Sequence, residues 1–214
     1  MMGMKKLNFL MVGVAAMLLP SCNDVLGDLY DEPLETSEYG FVEPCTSTAP
    51  GVIYVNATDY TTWTYIDFQT QSIDSLAVTD APPAKWDIAI HRYDTKTNNA
   101  KVVGTPLTDI NQARGWKNVD NLPEVADVWT TDVIVTDMST MMDGYLTYID
   151  SYYNPELSKW LDVDTNTMPP IYTLSDKVYV IYLENGERAA VKLTDYMDSA
   201  GIKGYMTIQY IYPL

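Results

Sequence analysis

Apolar residues along this chain recur mainly with period two, the spacing that places alternate side chains on one face of a β-strand. Gly51-Val52-Ile53-Tyr54-Val55-Asn56 and Trp63-Thr64-Tyr65-Ile66-Asp67-Phe68 are rich in β-branched and aromatic residues. Trp86-Asp87-Ile88-Ala89-Ile90-His91-Arg92-Tyr93 alternates with period two, and turn-forming residues bound all three runs. Val178 to Leu183 and Ala189 to Leu193 flank Glu184-Asn185-Gly186-Glu187, and Asn-Gly between two such runs predicts a hairpin. Tyr205 to Tyr212 reads as a closing strand. There is no internal repeat, heptad pattern or second domain boundary, so the pattern predicts one mainly β, antiparallel domain.

Helical signal is confined to the middle of the chain, as a short insertion near residues 139–161. Ser139 to Tyr152 reads as one helix, and Asn154 to Leu161 as a second, with Asn154 as N-cap and Pro155 at the first helical position. Asp162 to Pro170 reads as an irregular loop, because it holds several Asp and Asn residues and ends in Pro169-Pro170. Proline disfavours the helical region for the residue before it, so Met168 is expected on a stiff, displayed loop.

The N-terminus reads as a targeting segment. Met1 to Lys6 is basic, Leu7 to Leu19 is apolar but too short to span a bilayer, and Pro20-Ser21-Cys22 follows. The cysteine after Leu19-Pro20-Ser21 resembles a bacterial lipobox, which implies cleavage of residues 1–21 and lipidation of Cys22. Residues 22–50 contain seven acids, three prolines and no basic residue, and read as a solvated acidic tether in which Tyr39, Phe41 and Val42 could pack. Acidic residues behind a lipobox cysteine resemble a surface-export signal of Bacteroidetes lipoproteins, and point to the outer face of the outer membrane, with release from the cell as a further route. The domain proper is expected over residues 51–214. Losing residues 1–21 removes Lys5 and Lys6 and no acid, which takes the net charge from −16 to −18. Such a surface lacks the basic footprint that phosphate binding needs, so nucleic acid is excluded as a partner.

Metal chemistry is restricted by what is scarce. Beyond residue 22 the chain has one histidine, His91, and one cysteine, Cys45, but six methionines, of which Met138, Met141 and Met142 cluster and Met168 precedes the Pro-Pro pair. Thioethers are neutral, soft and polarizable, and suit haem iron or cuprous copper rather than zinc, calcium or magnesium. The chain has no Gly-x-Ser-x-Gly, no His-Glu-x-x-His and no plausible Ser-His-Asp order. These absences weaken a hydrolase reading, while paired carboxylates for glycoside cleavage stay open among the 29 acids.

Four fragments carry a resemblance. Tyr54 to Tyr65, Lys85 to Tyr93, Leu157-Ser158-Lys159-Trp160-Leu161 and Met168-Pro169-Pro170-Ile171-Tyr172, in that order and behind a lipobox, resemble the HmuY family of haem-binding lipoproteins of Bacteroidetes. The resemblance spans residues 51–214. It implies an all-β, haemophore-like, non-enzymatic fold that holds non-covalent haem b (iron protoporphyrin IX) between projecting loops and delivers it to an outer-membrane haem receptor, the implied partners being a TonB-dependent receptor and host haemoproteins. Family members ligate iron with two histidines or with two methionines. With His91 alone, two histidines are impossible within one molecule, and His91, inside a strand, is expected to be structural.

Met168 matches the family's Met-Pro-Pro position and is the first expected axial ligand. Its partner is Met138, Met141 or Met142. In a helix from Met138 to Tyr152, Met138, Met142, Tyr145 and Ile149 would form one apolar stripe suited to core packing, which leaves Met141 off the stripe and favours it; Met142 is the close competitor. Tyr145, Tyr148, Trp160 and Tyr172 are the expected haem-pocket residues, and Lys159, Lys177 and Arg92 the nearest donors for propionates. The alternative reading is a non-enzymatic glycan-binding or adhesion lipoprotein with no haem site, its tyrosines and tryptophans serving as stacking platforms.

Overall fold

The alternating runs pair into two antiparallel sheets in the computed structural model, which describes residues 39–214. With strands numbered along the chain, the larger sheet has the order β1 (Gly40–Glu43), β2 (Gly51–Asn56), β17 (Lys203–Ile211), β16 (Arg188–Met197), β15 (Tyr179–Tyr182), β7 (Lys101–Gly104) and β8 (Val125–Ala126). The smaller sheet has the order β4 (Ser72–Ala77), β3 (Thr62–Asp67), β5 (Ile88–His91) and β6 (Asp94–Thr97). Three two-stranded ribbons complete the described residues: β9 (Val128–Thr130) with β12 (Ser151–Tyr153), β10 (Val135–Asp137) with β11 (Thr147–Tyr148), and β13 (Leu161–Asp164) with β14 (Ile171–Leu174).

Side-chain alternation gives each sheet two apolar faces. Ile53, Val55, Ile181, Val191 and Ile208 of the larger sheet meet Ile66, Ile88 and Ile90 of the smaller one in the main core. On the opposite face of the larger sheet, Val180, Ala190 and Ile211 are covered by Ile110 and Ala113 of the 3-10 segment Ile110–Gly115. Behind the smaller sheet, Trp63, Tyr65 and Ala89 pack with Ile134. Burial on both faces suits the nearly continuous apolar run of β15, and β5, which reads as alternating, is buried on both faces as well. The Asn185-Gly186 hairpin forms, with Gly186 at positive φ and its N–H donating to Leu183 O at 3.0 Å.

The predicted helices do not form. Among the described residues, 139–161 holds only 3-10 turns at Met141–Asp143 and Leu157–Trp160. Ser139–Tyr152 instead turns back on itself: Gly144 takes a left-handed conformation, and Tyr148 then pairs with Val135 and Tyr152 with Trp129. A residue in that conformation ends a helix, and Asp143-Gly144 is a turn signal inside the helical reading. The N-cap position of the shorter segment is Glu156, and Asn154 holds its start from two residues earlier, its Oδ1 accepting from Glu156 N at 3.1 Å and Leu157 N at 2.8 Å.

The domain also begins earlier than residue 51. Strand β1 lies within the expected tether, and Phe41 meets the Tyr210 ring edge-on at 5.1 Å while Cys45 N donates to the Tyr210 hydroxyl at 3.2 Å. The leader, Cys22 and the tether as far as residue 38 lie outside the described residues. Among the described residues, no helix is long and apolar enough to cross a membrane.

Candidate haem-binding site

Two of the ribbons act as arms. The tip between β10 and β11 is built by short-range hydrogen bonds: Asp137 accepts from Ser139 N at 2.7 Å, Met141 N donates to Met138 O at 3.0 Å, and Thr140 Oγ1 donates to Tyr145 O at 3.2 Å. These bonds hold the shape of the tip locally, without burial of its methionine side chains. The tip between β13 and β14 is similar, with Asp164 accepting from Asn166 N at 2.9 Å and Thr167 Oγ1 donating to Pro169 O at 3.1 Å. The Met168–Pro169 peptide bond is cis. Met141, Met142 and Met168 are 40%, 85% and 76% exposed, unusual for so apolar a side chain.

A cavity of about 500 Å³ lies between the arms and the end of the smaller sheet. Met138, Met141, Met142 and Leu146 line it from one arm, Val163, Met168, Pro170 and Tyr172 from the other, and Tyr60, His91, Arg92, Tyr93 and Asp94 form its base. The volume falls in the roughly 300–1,000 Å³ range of pockets that bury small-molecule and cofactor ligands. Thus the two methionine regions, separated in sequence, converge. Met138 also faces the cavity, although helical spacing assigned it to a packed stripe.

The base is rigid. Arg92, at positive φ, donates from Nη1 to Thr58 O at 2.6 Å and Ala57 O at 3.2 Å, and from Nη2 to the Tyr93 hydroxyl at 3.2 Å. Its guanidinium lies 4.3 Å from the Tyr60 ring centre. Gly204 permits this, since a Cβ there would stand 2.8 Å from Arg92 Nη1. His91 is buried, and its Nε2 lies 2.9 Å from Tyr60 O; a carbonyl only accepts, so Nε2 carries the hydrogen. Nδ1 is then a buried lone pair with no hydrogen-bond partner. Burial lowers the His91 pKa and keeps the ring neutral.

Tyr93 and Tyr172 meet at 5.3 Å, and burial together with the hydrogen bond to Tyr172 pushes the Tyr93 hydroxyl upward. Tyr172 stacks on Tyr196 at 5.5 Å, and Lys203 Nζ lies 4.6 Å from the Tyr172 ring centre. Desolvation raises the Asp94 carboxyl to about 7.

Of the expected pocket aromatics, Tyr172 lines the cavity. Trp160 is a core residue whose Nε1 donates to Tyr93 O at 2.9 Å, so it supports the base from behind. Tyr145 and Tyr148 are exposed and lie outside the cavity lining. Among the expected propionate donors, Arg92 is at the cavity but its Nη atoms are committed inward, Lys159 pairs with Glu156 at 2.6 Å, and Lys177 is not in the lining. Lys203, which sequence spacing did not single out, lies beside the lining residue Tyr172. Tyr60, Asp94, Leu146 and Val163 were missed too, because only strand pairing brings them to the cavity. Among the described residues no three His, Cys, Asp or Glu side chains gather as a metal site.

The chain matches the model of the HmuY protein family over residues 59–210. It is similar to the structure of a candidate HmuY-like heme-binding protein from Bacteroides vulgatus, with 53% identity and a TM-score of 0.77 over 83% of this chain and 99% of that one. It is also similar to a candidate lipoprotein from Bacteroides fragilis, with 46% identity and a TM-score of 0.76 over 85% of this chain and 99% of that one. Apo PinO from Porphyromonas gingivitis matches with 28% identity and a TM-score of 0.66 over 77% of this chain and 97% of that one. Comparison with curated proteins returned no match.

Proposed function

The chain belongs to the HmuY family, and we propose that it binds haem in the cavity between its two arms through two methionine axial ligands, Met168 and Met141, with Met142 the competing partner. The convergence of methionines from both arms on one cavity carries this reading. Haem would supply an iron with two open axial positions between apolar walls, and thioethers from opposite arms suit those positions. Tyr172 and Tyr93 offer ring surface to the porphyrin, and Val135, Leu146 and Val163 exclude water from it. Lys203, rather than Lys159 or Lys177, is the propionate donor favoured by its place beside Tyr172.

Two neutral thioethers leave the iron charge uncompensated, so binding favours the ferrous state. No catalytic role is needed for this. A protein that presents haem between two exposed arms suits transfer, and delivery to a TonB-dependent outer-membrane receptor, with host haemoproteins as the source, completes the proposal. Lipidation at Cys22 and a place on the outer membrane agree with the similarity to a candidate lipoprotein.

The test is spectroscopic. Protein mixed with haem under dithionite should give sharp low-spin ferrous bands, and Met168→Ala should abolish them. Unchanged bands in Met168→Ala would end the proposed pairing.

A further inference from the structure

A second cavity, of about 570 Å³, lies away from the methionine arms, between the β9–β12 ribbon and the turn joining β6 to β7. In that ribbon Trp129 stands directly across from Tyr152, with ring centres 5.0 Å apart and planes at 76°. Both side chains are more than half exposed, at 56% and 55%. An edge-to-face pair this open stabilises the ribbon weakly, because most of its apolar surface stays in water.

Trp86 and the polar side chains of Asn98 and Asp150 line the same cavity. Asn98 is fixed by its Nδ2 donating to Trp86 O at 3.0 Å, which leaves its Oδ1 as an acceptor at the cavity. At the floor, Lys96 Nζ lies 4.1 Å from the Trp63 ring centre and donates to the Tyr65 hydroxyl at 3.0 Å. Asp127 accepts from Thr97 N, Thr97 Oγ1 and Asn154 Nδ2, so both its oxygens are occupied. The floor therefore carries one charge of each sign, each already engaged, and Lys101, also in the lining, pairs with Glu124 at 3.2 Å, so no unpaired cation is offered to an anionic ligand.

This combination selects the ligand. A nucleotide or acidic sugar would bring negative charge to a chain of net charge −16 with Asp150 at the rim. A purely apolar ligand would leave the Asn98 and Asp150 acceptors without partners. A neutral pyranose has an apolar C–H face to lie on an exposed indole or phenol and a hydroxyl rim that donates to amide and carboxylate oxygens. We propose that the cleft bounded by Trp129, Tyr152, Trp86, Asn98 and Asp150 is a binding site for a neutral sugar, separate from the methionine cavity.

Saturation-transfer NMR of the purified protein with the methyl glycosides of glucose, galactose, mannose and N-acetylglucosamine tests this. At least one should receive saturation at its ring protons, and Trp129→Ala should weaken its binding roughly tenfold, about 1.4 kcal/mol. Asp150→Ala, at an exposed position, should weaken it as well and serves where Trp129→Ala disturbs the ribbon. A parallel haem titration should be unchanged in both variants, which keeps this site and the haem reading independently testable. No transfer to any of the four glycosides, or equal binding in Trp129→Ala and Asp150→Ala, would overturn the proposal and leave the aromatic pair as a protein contact surface.

Discussion

Met141 and Met142 stand side by side on one turn of 3-10 helix and differ mainly in exposure, with Met141 less than half as exposed as its neighbour. The argument from a helical stripe no longer applies, but lower exposure on the cavity side favours Met141 again. Met141→Ala should therefore lose the low-spin ferrous bands while Met142→Ala keeps them; the reverse result would exchange their roles. At the base of the cavity, Asp94 and His91 give opposing pH dependences. The folded Asp94 carboxyl titrates near 7, above its ordinary 3.8, so the folded state keeps a proton that the unfolded chain has released, and stability falls as pH rises through that window. His91 is held neutral by burial, so below its ordinary 6.5 the unfolded chain gains a proton first and stability falls as pH drops. Asp94→Asn should remove the first contribution, gaining stability at about pH 8 and leaving a loss only on the acid side. Urea midpoints at about pH 5 and about pH 8 measure this, and a variant with the parent's full slope would contradict it.

The ribbons differ from the sheets in how they are held. Central sheet strands such as β5 and β15 bury both faces, whereas β10–β11 and β13–β14 are short ladders with exposed tips. Asn154 fixes the path between them: it is fully buried, accepts from Glu156 N and Leu157 N at the start of the Leu157–Trp160 turn, and donates from Nδ2 to Val125 O at 3.1 Å and Asp127 at 2.9 Å. Asn154→Ala should cost roughly 2–3 kcal/mol in urea unfolding, since it leaves several buried polar groups without partners. Strand β1 makes a smaller contribution at the sheet edge. Phe41→Ala should cost about 2 kcal/mol, below the usual value for a fully buried phenylalanine because Phe41 is only partly covered. The strands were legible in the sequence because period two is a local signal that each run carries alone. The segment after Met138 misled that reading because its i, i+4 apolar spacing suits a helix, while Gly144 and the pairing of Tyr148 with Val135 pull it into a ribbon.

At the scale of the whole molecule, a ligand that binds the folded state alone stabilises it by mass action. Ferrous haem at about a hundredfold its dissociation constant should add about 2.7 kcal/mol, which for a domain of this size raises the melting temperature by roughly 5–10 °C. Limited proteolysis should slow at residues 138–146 and 165–170 in the same sample, and a haem-bound protein whose tips are cut as fast as the free one would place haem elsewhere. The sequence by itself determined the antiparallel β class and the strong negative charge, because these follow from local periodicity and from which residue types are present, and it left thioethers as the candidate soft ligands of the proposed site. The tertiary structure decided that Met138, Met141, Met142 and Met168 share one cavity, that Trp160 supports it from the core, and that Trp129 and Tyr152 face a different one. Such facts depend on strand register and on pairing between distant segments, and the energy that fixes them comes from contacts no single stretch of sequence contains.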